Sequence, residues 1–446
     1  MQPSHTPLSH TQAPRFRPIL WLTALNLLLV SAASQATTFG IGWHDQDEDP
    51  QEMVRVMRTN GLTHLRLDIS KKQNLHDTDP DFVRGSSAPT KRLIDVVKTL
   101  KSNGITTTAI ISTELAYRVK TGQNLDAAVG GTPKLNYNTN CPGDQADVEK
   151  NVYNDAKAQI EGLAEWVTDF EMENEVNLYK DIRHPQANAP YLTPDVYDTE
   201  CGRTMAAALR GIAAAMNDVK KATGKPLRTI LGTTDNGISG FLIYMLNKKV
   251  SFDVVGYHTY LFVNTRDVNT DPWFNLGEKQ DPNKTATAYW QTGGGPMGLL
   301  KKFNRPVHIN EFNCAEIYGK NKELPYINRN GSESMNVCGQ SIKKHLAELK
   351  KQQSMIQFIT LFELRDRLLP NVCEPSRTAD PDSPKYDPGL PGAECRFGFF
   401  FNDGTPALNK PKQILKDATQ FPDDSYVPPP TSWKDKIRDL MVSLMH

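Results

Sequence analysis

The sequence predicts an α/β fold: a (β/α)8 TIM barrel with long loops on the carboxyl-terminal side of its strands. Three observations carry this. Eight short runs rich in Ile, Val, Thr, Leu and Phe recur along the chain with helical signals between them. The repeating unit averages roughly 40 residues, within the range of barrels with insertions. Neither G-x-G-x-x-G after a first strand nor G-x-x-x-x-G-K-[ST] occurs, so a nucleotide-binding doubly wound sheet lacks its main signature.

The elements follow in order. Residues 38–43 form the first strand. Asp49-Pro50 then supplies an N-cap and a proline at the first helical position, and Asn60-Gly61 stops that helix. The second strand is 64–69. A helix beginning near Pro89 closes at Asn103-Gly104, and strands at 106–111 and 170–175 follow. Thr193-Pro194 opens a long Ala-rich helix ending at Gly224. The last four strands are 229–233, 254–260, 307–311 and 358–362. Long loops follow strand three (around Cys141), strand four (around His184), strand six (262–287) and strand eight (370–397). All lie at the strand ends where a barrel carries its functional residues.

Composition bounds the rest. Among 446 residues, 38% are hydrophobic, enough for a packed core, and 51 basic residues balance 51 acidic ones. That balance gives no basic excess for nucleic acid. Arg15 and Arg17 precede the apolar run 19–30 and the small-residue stretch 31–36, the order of a cleaved export signal with cleavage after Ala36. The run is short for a bilayer span, which needs about 20 apolar residues, and no later stretch is long enough, so no stable membrane span is expected after cleavage. The expected organisation is a leader at 1–36, one barrel at 37–420, and a Pro-rich linker and tail at 421–446. Loss of Arg15 and Arg17 leaves 49 basic against 51 acidic residues, a net charge of −2, which favours a neutral partner over a strongly charged polymer. Six cysteines, none in C-x-x-C spacing, suggest disulfides in an exported (secreted or periplasmic) chain, with sequential pairing the simplest arrangement.

The chemistry sits at the ends of strands four and seven. Residues 166–177 read Trp-Val-Thr-Asp-Phe-Glu-Met-Glu-Asn-Glu-Val-Asn, and residues 305–313 read Arg-Pro-Val-His-Ile-Asn-Glu-Phe-Asn. A buried carboxylate needs partners, so packing alone does not account for a glutamate ending each strand. Two carboxyl groups facing one bound sugar are what retaining glycoside hydrolysis requires, one as general acid and the other as nucleophile. Glu175 and Glu311 are the expected catalytic pair.

Asn174-Glu175-Val176-Asn177 resembles the Asn-Glu-Pro-Asn signature of clan A glycoside hydrolases, with valine in place of proline. The resemblance implies that Glu175 is the acid/base, that Asn174 holds the substrate 2-hydroxyl, and that Glu311 is the nucleophile. It also implies that Arg66, in Leu65-Arg66-Leu67-Asp68, pairs with the nucleophile. His258 and Tyr260 match the strand-six His-x-Tyr, whose tyrosine hydroxyl contacts the nucleophile. Phe397-Gly398-Phe399-Phe400 and Asn402-Asp403-Gly404-Thr405-Pro406 resemble the segment that follows strand eight in the clan. The closest likeness is to glycoside hydrolase family 39 and relatives, including endoglycosidases of bacterial exopolysaccharides. Strand eight ends Phe362-Glu363-Leu364-Arg365-Asp366 without the clan's usual tryptophan, so Phe362 or Glu363 is expected at the cleavage subsite.

Competing readings stand beside these. Glu171, Glu173 and Glu175 share one side of a strand that runs to 175, so one or two of them are open to being solvated or paired carboxylates. Glu316 competes with Glu311. An ion pair with Asp68 competes for Arg66 and is set aside on strand alternation. A hydrogen-bonded core histidine competes for both His258 and His308, and is the preferred reading for His308. Trp43 and His44 after strand one, and Trp273, Tyr289 and Trp290 near the strand-six loop, suit sugar stacking and packing equally. No metal-ligand spacing and no G-x-S-x-G appears, and the chemistry calls for no cofactor. The expected partner is a polysaccharide or oligosaccharide substrate. The rival readings are an inactive polysaccharide-binding barrel and a transglycosylase.

Overall fold

The computed structural model describes residues 37–43, 48–69, 89–111, 145–178, 182, 193–234, 237–261, 295–314, 342–343, 346–347, 349, 352, 354–365, 398–400 and 408. Residues 1–36 and 421–446, the expected leader and tail, and His44, Glu316, Trp273, Tyr289, Trp290 and the side chain of Tyr260 lie outside this set. So do the expected long loops for most of their length.

Eight parallel strands close on one another in sequence order: β1 (Thr38–Trp43), β2 (His64–Asp68), β3 (Thr106–Ile111), β4 (Asp169–Met172), β5 (Arg228–Thr234), β6 (Val254–Leu261), β7 (Val307–Cys314) and β8 (Ile356–Leu361). β8 pairs back onto β1, with Thr38 opposite Phe358. The expected (β/α)8 barrel is therefore the observed fold. Among the described residues the main helices between strands are α1 (Pro50–Thr59), α2 (Lys91–Ser102), α3 (Gln145–Leu163), α4 (Glu200–Thr223), α5 (Gly237–Asn247) and α6 (Gly295–Lys302). No described helix is long and apolar enough to cross a membrane.

The helix starts have local causes. The Asp49 carboxylate accepts hydrogen bonds from the amides of Gln51 and Glu52, and Pro50 has no amide hydrogen to leave unpaired. Thr90 caps α2 through the Leu93 amide. The Thr193-Pro194 expectation needs correction. That pair opens only the 3-10 turn Pro194–Tyr197, and the long helix starts at Glu200, where the Thr199 hydroxyl accepts from the Gly202 amide. It ends as expected at Gly224, whose φ of 67° suits a residue without a side chain.

Side chains alternate along each strand, and the register divides them into two sets. Ile41, Leu65, Leu67, Ala109, Ile111, Phe170, Met172, Leu231 and Ile309 are buried on the outward set, against helix residues such as Val96, Ile160 and Ile212. The inward set is largely polar. His64, Arg66, Thr108, Asp169, Glu171, Gly232, Gly256, His258 and His308 face the barrel interior in matched register. Apolar burial thus stabilises the sheet from outside, and the lumen is available for chemistry. Arg66 and Asp68, two residues apart, lie on the same side of β2. Strand alternation does not separate them, contrary to the sequence argument.

Candidate active site

Arg66 reaches from β2 across the barrel and is 1% exposed. Its Nε donates to Glu171 Oε2 at 2.6 Å, its Nη1 to Glu311 Oε1 at 2.7 Å, and its Nη2 to Asn174 Oδ1 at 2.8 Å. One planar fork therefore orients three side chains from β4, the turn after it, and β7. Burial opposes the guanidinium charge, but Glu171 and Glu311 outweigh it, so Arg66 stays protonated.

His258, on β6, is the second hub. Its Nε2 lies 3.2 Å from Glu171 Oε1, and its Nδ1 lies 3.1 Å from Glu175 Oε1 and 3.4 Å from Glu311 Oε2. Burial disfavours its charge, yet Glu311, Glu171 and Glu175 together raise its pKa well above the usual histidine value. As an imidazolium it donates from both nitrogens, which matches carboxylates on both sides. The Arg66 Nη2 also approaches His258 Nε2 at 3.4 Å, which in this state is one donor facing another. Glu171 touches both cations and is fully buried. Burial works against its charge, and Arg66 and His258 hold it well below the usual carboxylate range all the same.

Two backbone features aim the glutamates. The first corrects an expectation: β4 ends at Met172, so Glu171, Glu173 and Glu175 do not share one extended strand. Glu173 and Glu175 sit in the turn beyond it with φ of 62° and 47°, left-handed values uncommon for residues with side chains. The 3-10 turn Val176–Leu178 follows, pinned to β5 by Asn177. The Asn177 side chain donates to the Thr234 carbonyl at 3.0 Å and accepts from the Thr234 amide at 3.1 Å. Glu175 retains 27% of its side-chain exposure, against 0% for His258 beside it.

The second feature is a β-bulge in β7. Tyr257 opposes Ile309, but His258 opposes Glu311, so Asn310 is an extra residue. Regular alternation would turn Glu311 outward beneath the helices. The insertion brings Glu311 to the inner side, against Arg66 and His258. Two glycines make room. A Cβ on Gly232 would lie 2.5 Å from Glu171 Oε1, and one on Gly256 would lie 2.6 Å from Asn310 Nδ2.

Arg66, Asn174, Glu175, His258 and Glu311, all singled out in the sequence, therefore lie together. Tyr260 is on β6, with its side chain outside the described residues. Of the two readings the sequence left open for Trp43, the structure shows packing. Trp43 is 2% exposed and belongs to the apolar core, and its indole nitrogen donates to Glu48 Oε2 at 2.6 Å. Packing, not an open sugar platform, is its role here. Glu363 follows β8 in a cis peptide with Phe362, is 3% exposed, and accepts the Phe399 amide at its carbonyl. His308 is a core histidine as expected: burial and then Arg228 hold it neutral, with Gln357 Oε1 3.2 Å from Nε2.

Sequence reasoning missed the parts played by Glu171, Asn177, Gly232 and Gly256. The Glu171 carboxylate lies four residues before Glu175, and nothing in its type or spacing says that it binds two cations.

Oxygens of Glu175 and Glu311 and a ring nitrogen of His258 all lie within 4.8 Å of one another. Such convergence also suits a metal ion, but here the carboxylates already face a guanidinium and an imidazolium, so we assign none.

No known family pattern and no curated protein matches this chain. Solved structures do resemble it. The GH53 catalytic domain of Ignisphaera aggregans shares 13% identity over 88% of this chain and 97% of its own, with a TM-score of 0.46. GH10 from Paenibacillus barcinonensis shares 11% over 89% and 98%, with a TM-score of 0.49. A family 1 β-glucosidase from Thermotoga maritima shares 13% over 86% and 96%, with a TM-score of 0.46. The likeness is one of fold, and the site stands on its own residues.

Proposed function

We propose that this chain is an exported glycoside hydrolase that cleaves O-glycosidic bonds of a polysaccharide or oligosaccharide with retention of configuration. The observation that carries the reading is that one carboxylate oxygen of Glu175 and one of Glu311 lie within 4.8 Å of each other, with His258 Nδ1 3.1 Å from Glu175 Oε1 and 3.4 Å from Glu311 Oε2. Retaining enzymes hold their carboxyl groups about 5 Å apart, whereas inverting ones leave roughly 6.5–9.5 Å for a water. Glu311 attacks the anomeric carbon while Glu175 protonates the departing oxygen. Glu175 then takes a proton from water as that water releases the glycosyl group. Arg66 keeps Glu311 ionised and aimed.

Export, with a leader at 1–36, a barrel at 37–420 and a tail at 421–446, is part of the same reading. It is supported by the order of basic, apolar and small residues before Ala36, and Cys201 has no free thiol. The narrower likeness to glycoside hydrolase family 39 rests on sequence motifs.

The test is a screen of the purified chain and its Glu311→Gln variant on neutral and charged extracellular polysaccharides and aryl glycosides. Reducing ends from wild type alone support the reading. Binding by both proteins with release by neither establishes a scaffold instead. Transfer to an added sugar acceptor in preference to water establishes a transglycosylase.

A further inference from the structure

The reaction as written uses two of the three carboxylates around His258 and leaves the third, Glu171, without a part. Glu171 is fully buried, it bridges Arg66 and His258, and a missing side chain at Gly232 leaves space for its Oε1. Burying a third carboxylate in a lumen is costly, so its contacts must serve something.

The charge movements in the two half-reactions show what. At the start Glu311 is charged and Glu175 carries a proton. In the first step a bond forms between a Glu311 oxygen and the anomeric carbon. The bond to the leaving oxygen breaks, that oxygen keeps the electron pair, and Glu175 gives it a proton. Glu311 is now a neutral ester and Glu175 a carboxylate. In the second step water attacks the anomeric carbon and gives its proton to Glu175, and the ester electron pair returns to Glu311. Negative charge thus passes from Glu311 to Glu175 and back. His258 Nδ1 lies within 3.4 Å of both.

We propose that Glu171 is a positioning residue that holds His258 as a fixed imidazolium, so that one Nδ1–H serves whichever of Glu175 and Glu311 is charged. This rests on the glycosidase reading above. Among the described groups facing His258 are Glu171 from β4, Glu175 from the turn after it, Glu311 from β7 and Arg66 from β2. Only Glu171 is a negative charge that neither half-reaction changes. It also keeps the two cations together, since Arg66 Nη2 and His258 Nε2 stand 3.4 Å apart. An amide at position 171 has one oxygen to accept from Arg66 and turns its NH2 towards His258 Nε2. The ring then becomes neutral to accept that hydrogen.

The experiment has two arms. In the first, histidine-15N NMR of the wild-type chain, with the His258 signals identified by their loss in His258→Gln, reports both ring nitrogens protonated at pH 7.5. They stay protonated after a 2-deoxy-2-fluoroglycoside has trapped the Glu311 ester. A neutral His258 ring in either state overturns the proposal, and this arm depends on no variant of residue 171.

In the second arm, Glu171→Gln and Gly232→Ala are compared with wild type on an activated aryl glycoside. The alanine methyl crowds Glu171 Oε1 while leaving every charge in place. The expected result for Glu171→Gln is a fall in kcat of about 100-fold. The acid limb of its kcat profile rises by about one pH unit, because the ionised base loses a cation beside it. Gly232→Ala shifts the limb in the same direction by less. A folded Glu171→Gln with an unmoved pH profile refutes the proposal even if kcat falls, and Gly232→Ala is judged alike if the first variant does not fold. A wild-type chain that neither turns over nor is labelled on any glycoside sinks the glycosidase reading itself, together with this role.

Discussion

Arg66→Met is the perturbation that bears most heavily on the proposed architecture of the site. Methionine fills much of the same volume without charge. The change removes three hydrogen bonds of 2.6, 2.7 and 2.8 Å, two of them to buried carboxylates. Removing one partner of a buried ion pair typically costs 3–5 kcal/mol, mostly from the charge left unpaired. Here two carboxylates lose their main partner, and His258 remains to offset part of the loss. We therefore expect about 3–5 kcal/mol lost at pH 7.5 in urea unfolding. The loss should shrink as pH falls towards 5, because the orphaned carboxylates then take up protons and cease to be buried charges. Activity should fall with it, since Glu311 is neither aimed nor held ionised. A penalty below about 1 kcal/mol at pH 7.5, or one equal at both pH values, would refute the assignment of Arg66 as the counter-charge of the lumen.

Three further outcomes follow from the same contacts. Gly256→Ala places a methyl 2.6 Å from Asn310 Nδ2 and 2.9 Å from Ile230 Cγ2. It should cost about 1–3 kcal/mol in urea melts and reduce kcat by disturbing the bulge that aims Glu311. Asn177→Ala breaks the reciprocal pair with Thr234, which should cost about 1–2 kcal/mol and lower kcat more than it raises KM. His64 is held neutral down to about pH 3 by burial, then by Arg228 and Arg66, while an unfolded histidine protonates near 6.5. Between those values the unfolded chain binds more protons, so this contribution to stability declines as pH falls from 6.5 to 3. Urea midpoints at pH 7, 5 and 4 should drop accordingly, and His64→Asn should drop less.

Much of the barrel was legible because its signals are local. The Asp49-Pro50 cap, the Gly224 stop and the apolar strands at 38–43 and 106–111 each depend on a few neighbouring residues. Thr193-Pro194 misled because an N-cap and a proline suit a 3-10 turn as well as a helix. The chemistry-bearing residues were legible from type and strand position. Their aim was not. Alternation read from sequence places Glu175 at a strand end and gives no warning of the left-handed turn that presents it. The same alternation turns Glu311 away from the lumen, and the pairing of β7 with its neighbours, β6 above all, reveals Asn310 as an extra residue. Trp43 shows the converse limit. An aromatic at a strand end suits a sugar face or a core, and the nearby Glu48, five residues on, decides for the core by taking its indole hydrogen.

The most direct measurement of the central claim is proton NMR of the first sugar product as it forms from a substrate of defined anomeric configuration. With carboxylate oxygens of Glu175 and Glu311 within 4.8 Å of each other, the first-formed product should carry the same anomeric configuration as the bond that was cleaved. A first-formed product of opposite configuration would contradict the double displacement and the roles given to both glutamates.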